Sequence, residues 1–285
     1  MNTHPDCIPC LFRQALNTGR IAGGSPAVLG RILVEVARRI PGRSMRMSPA
    51  AYSQPAYTIV SRVTGVADPF KAQKDETNRL ALALLPDIRK LVTRSGDPLV
   101  TALHAAVGGN IIDLGIGHEF DIGRDIRAAM RTKFAVNSIA RFRKDLGPGR
   151  SLLYLGDNAG EIVFDTLLVE QILRTGTAVT FTVKSGPVIN DATMHDADVS
   201  GMTRLAKVIE TGSNDIGVNW KRASRQFKAA FRAADIIIAK GHGNFETCHD
   251  LPGNIYSLLK AKCSVVAEAL GVRVGDIVFH HPGKR

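Results

Sequence analysis

The stretch SLLYLGDNAGE, residues 151–161, decides the fold of this chain. It begins with a short apolar run and ends with two glycines that flank acidic and amide side chains. A run of this length predicts a buried strand, and the glycines predict a tight turn into a helix. The stretch therefore predicts a strand–helix unit, the building block of an α/β fold.

Similar apolar runs and helical stretches alternate through the rest of the chain after residue 150. The runs are Ser151–Leu155, Ala178–Val183, Ala206–Ile209, Asp235–Ala239, Ser264–Ala267 and Asp276–Phe279. The helical stretches are Glu161–Arg174, Trp220–Ala233 and Ile255–Cys263. Alternation of this kind predicts a three-layer α/β/α sandwich with a mostly parallel sheet.

The chain before residue 108 carries helical patterns instead. They cover Cys7–Thr18, Pro26 to about Ile40, Ser53–Val63, Phe70–Thr93 with a kink or break at Pro86, and Pro98–Val107. A further helix is predicted from about Ile122 to Phe142. We therefore expect a helical N-terminal domain over residues 1–108 and an α/β/α catalytic domain over residues 109–285.

Composition narrows the class of protein. The 285 residues are 45% hydrophobic and 22% charged, which excludes disorder and coiled coil as descriptions of the whole chain. The net charge of +11 favours anionic partners. Aromatic residues are only 6% and the basic residues are dispersed, so nucleic acid is an unlikely partner.

The sequence also bears on location. No apolar run reaches the roughly 18 residues that span a membrane. The first residues, with His4, Pro5 and Asp6, do not resemble a signal peptide. Four cysteines in a chain of this length do not make a disulfide scaffold. We therefore expect a cytoplasmic protein with no membrane partner.

Polar side chains directly follow the predicted strands, where α/β sheets bind their ligands. Asp157 and Asn158 follow the first run, and Asp191 follows the second. Their oxygen atoms suit Mg²⁺ or Mn²⁺ better than zinc, and the helix that starts at Glu161 is a natural seat for phosphate. Turns in which Asp157 and Asp191 only cap helices are the alternative.

A lysine follows a third strand, in the stretch IIIAKGHGNFE of residues 236–246. Lys240 followed by Gly241 places a cation among exposed backbone amides, which stabilises the anionic oxygens of a transferring phosphoryl group. The stretch GGNIID of residues 108–113 could send Asn110 or Asp113 toward the same cleft. A helix end followed by a turn explains that stretch equally well.

Cys7 and Cys10 have the CxxC spacing of half a zinc site. A structural zinc site needs four ligands. Cys248, His249 and Cys263 are candidates, but no second CxxC occurs. Metal binding and a buried or redox-active pair both stay open.

Several of these segments resemble those of the metal-dependent damage-control phosphatases, formerly catalogued as domain of unknown function number 89. The resemblance is greatest to the prokaryotic branch with an N-terminal CxxC. The matching segments are CIPCL at 7–11, RQA at 13–15, GNIID at 109–113, GDNAGE at 156–161, NDAT at 190–193, KGHGNFE at 240–246 and LLKAKC at 258–263. They occur in family order and cover nearly the whole chain.

The resemblance implies roles for individual residues. A divalent metal (Mn²⁺, Co²⁺, Ni²⁺ or Mg²⁺) would be held by Asp157, Asn158 and Asp191, and these would act in catalysis with Lys240. Lys240 would bind the phosphate, and Glu161 would contact substrate. Substrate-binding positions near the pocket would also include Asn110, Gly241 and Asn244. Cys7, Cys10 and Cys263 would come together as a second metal or redox cluster.

Our leading hypothesis is a metal-dependent phosphatase acting on small phosphorylated metabolites, such as sugar phosphates or damaged phosphometabolites. The nucleophile is either water activated by the metal or a carboxylate such as Asp157. One alternative is a transferase with a nucleotide-like cofactor, for instance a methyltransferase, although no GxGxxG follows Leu155. The other is a non-catalytic binder of anions or nucleic acid.

Overall fold

The computed structural model describes residues 1–108 and 132–283. Five helices occupy the first described range: α1 Cys7–Ile21, α2 Pro26–Ala37, α3 Pro49–Thr64, α4 Lys71–Arg94 and α5 Pro98–Gly108. The second range holds β1 Val136–Asn137, α6 Ile139–Asp145, β2 Ser151–Leu155, α7 Glu161–Leu173, β3 Ala178–Val183, α8 Met194–Ser200, α9 Met202–Leu205, β4 Lys207–Glu210, α10 Arg225–Ala233, β5 Ile236–Lys240, α11 Gly241–Cys248, β6 Ile255–Lys260, α12 Ser264–Leu270 and β7 Ile277–His280.

The strands form one sheet in the order β1-β7-β6-β5-β2-β3-β4. All neighbouring pairs are parallel except β6 and β7, which run antiparallel. Strands β2, β3 and β5 lie side by side, so their carboxyl ends share one edge of the sheet.

Helices cover both faces of this sheet. Along β2, Leu152 and Tyr154 belong to the apolar cluster that includes α5 and α7. Leu153 and Leu155 point the other way and pack in a second cluster with Phe227 of α10. Since successive side chains of a strand face opposite sides, this alternation places a helical layer on each face. The predicted three-layer α/β/α architecture is confirmed.

Two predicted elements near the C-terminus are wrong. The segment Ile255–Cys263 was expected to be helical but contains strand β6, and Ser264–Ala267 was expected to be a strand but lies in helix α12. Strand β6 is central and buried on both faces, so its apolar run lacks the alternation that marks a half-buried strand. Helix α12 is short, and its consecutive valines imitate a strand; Gly271, with φ of 67°, ends it.

Other element boundaries differ less. Helix α1 continues through Gly19 to Ile21, and α4 continues through Pro86 to Arg94. Helix α10 begins only at Arg225, because the Ser224 hydroxyl caps it by accepting a hydrogen bond from the amide of Phe227. The predicted helix of residues 122–142 lies partly outside the described residues, and its described end holds β1 and the start of α6.

The apolar clusters do not follow the predicted boundary at residue 108. Helices α1, α2 and α3 share a core of their own around Ile32 and Tyr52. Helices α4 and α5 instead pack in the cluster that covers the sheet, with Leu103 of α5 among its fully buried members. The division in packing therefore falls between α3 and α4, and the boundary at 108 stays a prediction. Among the described residues, no helix has the length and apolar character needed to cross a membrane.

Candidate active site

The residues after strands β2 and β3 meet at the carboxyl edge of the sheet. The amide of Ala159 donates to the carbonyl of Asn190 at 2.8 Å, and the amide of Ala192 donates to the carbonyl of Asp157 at 2.8 Å. These two bonds form a short antiparallel bridge between Asn158 and Asp191. The structure therefore brings Asp157, Asn158 and Asp191 together, as the strand-end argument expects.

Helix α11 begins against the carboxylate of Asp157. A Cβ atom on Gly241 would lie 1.9 Å from Oδ2 of Asp157, and Gly241 has a φ of +75°. Both the contact and the backbone conformation demand glycine here. The start of α11, the positive end of the helix dipole, is thereby held at the side chain of Asp157.

The amide of Asn158 has a fixed orientation. Its Nδ2 donates to Oε1 of Glu161 at 2.7 Å and to Oδ2 of Asp157 at 3.2 Å. Both amide protons are thus directed to carboxylates, and Oδ1 is left as an acceptor for a cation. Asp157 and Asn158 are half-buried, while Glu161 is only 2% exposed. Glu161 therefore orients Asn158 from the buried side of the site. A ligand can approach Asp157 and Asn158 from their exposed side.

Lys240 is fully buried and donates hydrogen bonds to three protein groups. Its Nζ donates to the carbonyl of Ala106 at 2.8 Å, to Oδ1 of Asp165 at 2.8 Å and to Oε2 of Glu161 at 3.1 Å. Tyr154 also donates to Oδ1 of Asp165, at 2.7 Å. Because a lysine has three protons to donate, these contacts leave none for a phosphate. The geometry thus favours a positioning role for Lys240 over the expected phosphate contact.

A second buried lysine lies beside Asp191. Nζ of Lys184 is 3.5 Å from Oδ2 of Asp191 and also donates to the carbonyl of Gly217. Both Lys184 and Asp191 are at least 94% buried. Lys184 directly follows strand β3, just as Lys240 ends β5. The sequence analysis missed Lys184, although its position at a strand end was a signal that could have identified it.

The electrostatics of this cluster favour a divalent cation. Four carboxylates and two buried ammonium groups lie here: Asp157, Glu161, Asp165, Asp191, Lys184 and Lys240. Lys262 and Lys74 also act electrostatically on Asp157 and Asp191, respectively. Carboxylates buried this close together repel one another, and a cation bound between Asp157 and Asp191 would offset that repulsion.

The pKa values of the carboxylates reflect their burial first and their neighbouring charges second. Burial raises the pKa of Asp157 well above its usual value, and the charges of Glu161 and Asp191 raise it further. Burial also raises the pKa of Asp191, and nearby Lys184 opposes that rise. Burial raises the pKa of Asp165 to about 6. For Lys240, burial lowers the pKa, but the charges of Asp165 and Glu161 outweigh it, and the net shift is upward. A divalent cation at Asp157 and Asp191 would keep both ionised.

The oxygen donors fit such a cation. Two carboxylates and one amide oxygen form the oxygen-rich set that Mg²⁺ and Mn²⁺ prefer. No group of three or more His, Cys, Asp or Glu side chains within residues 1–108 and 132–283 is arranged to hold a metal. The fit therefore depends on the amide of Asn158 as the third donor beside the two aspartates.

The remaining predicted site residues lie in different surroundings. Asn244 is 4% exposed, and its Nδ2 donates to the carbonyls of Gly156 at 2.9 Å and Lys240 at 2.8 Å. Its amide nitrogen thus joins the ends of β2 and β5, and only Oδ1 could meet a substrate. Asn110 and Asp113 lie outside the described residues.

Helix α4 contributes contacts that sequence reasoning missed. Oδ1 of Asn78 accepts a hydrogen bond from the amide of Gly160 at 2.7 Å, and Nδ2 of Asn78 donates to Asp196 at 2.7 Å. The amide of Ile162 donates to the carbonyl of Asn158. These bonds occupy amides at the start of α7, where a phosphate seat was expected. The sequence signal that could have identified this contact was a polar side chain, Asn78, within a predicted helix.

The CxxC cysteines start helix α1, and Cys263 immediately precedes helix α12. Burial raises the pKa of the Cys7 thiol, and the proximity of Glu246, Cys263 and Cys10 raises it further. Glu246, Cys263 and Cys10 thus act electrostatically on the Cys7 thiol. All four cysteines of the chain are free thiols.

Comparison with known proteins identifies the family. The model of the damage-control phosphatase ARMT1-like domain matches residues 3–278. A damage-control phosphatase of Pyrococcus horikoshii is 30% identical over 98% of this chain and 97% of its own length. One of Archaeoglobus fulgidus is 32% identical over 98% of both chains.

A solved structure agrees with these sequence matches. The crystal structure of a DUF89 family protein from Pyrococcus horikoshii superposes with a TM-score of 0.91, at 30% identity, over 99% of both chains. Since the family model spans nearly the whole chain and full-length relatives share both sequence and fold, this protein belongs to the damage-control phosphatase family.

Proposed function

We propose that this protein is a metal-dependent phosphatase that hydrolyses small phosphorylated metabolites, sugar phosphates or damaged phosphometabolites among them. The observation that carries the proposal is the arrangement of Asp157, Asn158 and Asp191 at the carboxyl edge of the sheet, where burial raises the pKa of both aspartates. Family membership supports the same reaction class.

Asp157, Asn158 and Asp191 would hold the divalent cation, with Mn²⁺, Co²⁺, Ni²⁺ and Mg²⁺ as candidates. Such a cation, when bound, polarises a phosphoryl oxygen and offsets its charge. The start of α11 at Gly241 adds the favourable end of a helix dipole beside Asp157. The half-buried side of Asp157 and Asn158 is where the phosphate would enter.

Glu161 and Lys240 would act behind these ligands. Glu161 accepts from the Asn158 amide and from Lys240, so it fixes the amide with Oδ1 directed away from Glu161. We propose that Lys240 positions Glu161 and does not bind the phosphate. The orientation of Asn158 would then be set by a buried ion pair that substrate does not touch.

Phosphatase assays test the proposal. Wild-type protein should hydrolyse p-nitrophenyl phosphate or a member of a sugar phosphate panel when Mn²⁺, Co²⁺, Ni²⁺ or Mg²⁺ is added, and EDTA should abolish the activity. Asp157→Ala should lose at least about a hundredfold in rate, since it removes a ligand and not only a supporting contact. Asp198→Ala is a matched control, because Asp198 is exposed on α8 and contacts none of the proposed ligands.

Two outcomes would contradict the proposal. One is equal activity in wild type and Asp157→Ala. The other is no activity in wild type across the metals and the phosphate panel, despite correct folding by circular dichroism.

Three cysteines form a separate proposal. Cys7, Cys10 and Cys263 would act as a redox group or hold a second metal; the described residues do not form a metal site as they stand, so the metal role requires the three thiols to move together. Their free thiols suit the reducing cytoplasm, which we propose as the location of the protein. Elemental analysis of protein purified without chelator, together with thiol titration, distinguishes the two. Bound metal that Cys10→Ser removes supports the first role, and a disulfide that peroxide induces supports the second. Wild-type protein with neither property would exclude both.

A further inference from the structure

A cavity lies between helix α3 and the loop of residues 214–221, apart from the candidate metal site. Its volume is about 620 Å³, and none of Asp157, Asn158, Asp191 or Lys240 lines it. Its wall includes Arg39, Gln54, Ile59, Ile216, Trp220 and Lys221. A cavity of this size with apolar walls and a few polar groups has the character of a small-molecule site.

Hydrogen bonds hold the loop that forms one wall. Oε1 of Gln54 accepts from the amide of Ile216 at 2.9 Å. On the other side, Oγ1 of Thr247 accepts from the amide of Val218 at 3.0 Å, and the carbonyl of Thr247 accepts from the Trp220 ring nitrogen at 3.3 Å. The loop is thus fixed to α3 and to α11, so the cavity is formed before any ligand arrives.

The charged groups around the cavity indicate which class of ligand it suits. Arg39 and Lys221 are exposed, and neither pairs with an acidic side chain in the described ranges. Asp215 also lines the cavity and is 4% exposed; its Oδ1 accepts from Arg222 at 3.1 Å, whereas its Oδ2 has no partner among the described residues. Trp220 and Ile216 offer flat apolar surface. An anionic group at the basic rim and a planar ring against the apolar wall would satisfy these features, whereas Oδ2 of Asp215 is buried out of reach of a ligand.

The same loop reaches the candidate metal site. Ile216 and Val218 line the cavity, and between them the carbonyl of Gly217 accepts a hydrogen bond from Lys184, the lysine paired with Asp191. A Cβ on Gly217 would lie 2.1 Å from the carbonyl oxygen of Gly243, so the loop is pressed against α11. Any shift of this loop would therefore move the partner of Lys184.

We propose that this cavity binds a small heteroaromatic anion with the chemistry of a purine nucleotide, and that its occupation changes the metal affinity of the Asp191 site through Gly217 and Lys184. The binding half of the proposal is independent of the proposed function. The coupling half rests on that function, because it requires Asp191 to hold a metal.

Fluorescence can test the binding half directly, because Trp220 is the only tryptophan of the chain. Metal-free protein in EDTA is titrated with AMP and GMP, and with adenosine and inorganic phosphate as partial ligands. We expect a saturable change in Trp220 emission with a nucleotide, and at least tenfold weaker binding of both partial ligands.

Variants locate the binding event. Arg39→Ala combined with Lys221→Ala should weaken nucleotide binding at least tenfold, and Thr58→Phe, an exposed helix position that faces the cavity, should abolish it by filling the space. Arg38→Ala is the matched control, since Arg38 is exposed next to Arg39 but does not line the cavity. The absence of a saturable signal in wild type, or equal affinity in the double variant and Arg38→Ala, would overturn the proposal.

Mn²⁺ titrations test the coupling. The affinity for Mn²⁺ is measured by calorimetry with and without a saturating non-hydrolysable phosphonate analogue of AMP, and the affinity for the analogue is measured by Trp220 fluorescence with and without Mn²⁺. Reciprocity requires the two changes to be equal, and we expect at least threefold. Unchanged affinities would refute the coupling. Failure of Mn²⁺ to bind at all would refute the proposed function instead and would leave the Trp220 result standing.

Discussion

Replacing Lys240 by Met tests whether this lysine positions the metal ligands or binds phosphate. Methionine has similar length and an apolar body, so it fills the buried space without the charge. The change removes three hydrogen bonds and leaves Asp165 and Glu161 without their shared counter-charge. All three side chains are at most 3% exposed, so water cannot replace the ammonium group.

The size of the effect follows from this burial. Removing one partner of a buried ion pair costs about 3–5 kcal/mol, a large part of the stability of an ordinary domain. The cost should be smaller at pH 5 than at pH 7.5. The pKa of Asp165 is about 6 even though Lys240 lowers it, so in the variant this pKa is higher still, and at pH 5 a bound proton takes over part of the role of the ammonium group. This compensation is lost as pH rises through the pKa of Asp165 in the variant.

Metal affinity should fall as well. Without Lys240, Glu161 is free to turn from Asn158, and a hydrogen bond to a charged group contributes about 1.5–3 kcal/mol. We expect the dissociation constant for Mn²⁺ to rise about tenfold or more. The inhibition constant of inorganic phosphate, measured at saturating Mn²⁺, should change less than threefold.

Urea unfolding in EDTA at both pH values, Mn²⁺ calorimetry and phosphate inhibition measure these three quantities. Lys207→Met is the control, because Lys207 is an exposed lysine on β4. If Lys240→Met unfolded like wild type, bound Mn²⁺ normally and lost only phosphate affinity, the positioning role would be refuted and direct phosphate binding would be restored.

Two further substitutions test local features of the site. Gly241→Ala should abolish Mn²⁺ binding, since its Cβ would lie 1.9 Å from the Asp157 carboxylate. Gly271→Ala is the control, because Gly271 has a φ of 67° and open space around it. It should cost only about 1–2 kcal/mol of stability and leave Mn²⁺ binding, measured by calorimetry, intact. Burial raises the pKa of Glu246 to about 7, so the free energy of unfolding of wild type should fall by up to about 3 kcal/mol as pH rises from about 4.5 through 7. Glu246→Gln should not show this fall when stability is measured by urea unfolding. Parallel pH profiles of the two proteins would contradict this expectation.

The sequence predicted the proximity of Asp157, Asn158 and Asp191 because its signals are local. The apolar run before Gly156 specifies a strand, and parallel strands end at a common edge, so Asp157 and Asp191 had to lie near each other. Side-chain chemistry at that edge then indicated a cation. Family membership favours this interpretation over a transferase or a nucleic-acid binder.

The inward direction of the Lys240 side chain could not be predicted in the same way. A lysine at the end of a strand can turn outward to the ligand or inward to the core. The direction depends on whether the core holds an acidic partner for the ammonium group. Here Asp165 supplies a buried partner from helix α7, within an otherwise apolar stretch of that helix. A lone aspartate among buried apolar residues was a sequence signal for an internal cation, but its partner was set by tertiary packing.

Strand β6 and helix α12 show a different limit. An apolar run that is buried on both faces has neither the period of a strand nor that of an amphipathic helix. Only the neighbours β5 and β7 decide that residues 255–260 are extended. The error therefore came from context that a single local window does not contain.

The contact between Lys240 and Ala106 joins residues 134 positions apart, and it has a consequence for how the protein is made. During synthesis, Ala106, Glu161 and Asp165 leave the ribosome before the lysine that joins them. A nascent chain that ends before residue 240 holds its acidic cluster without the internal cation, and it also lacks strand β5 beside β2. The proposed metal site is therefore completed late in translation, when most of the chain is already outside the exit tunnel.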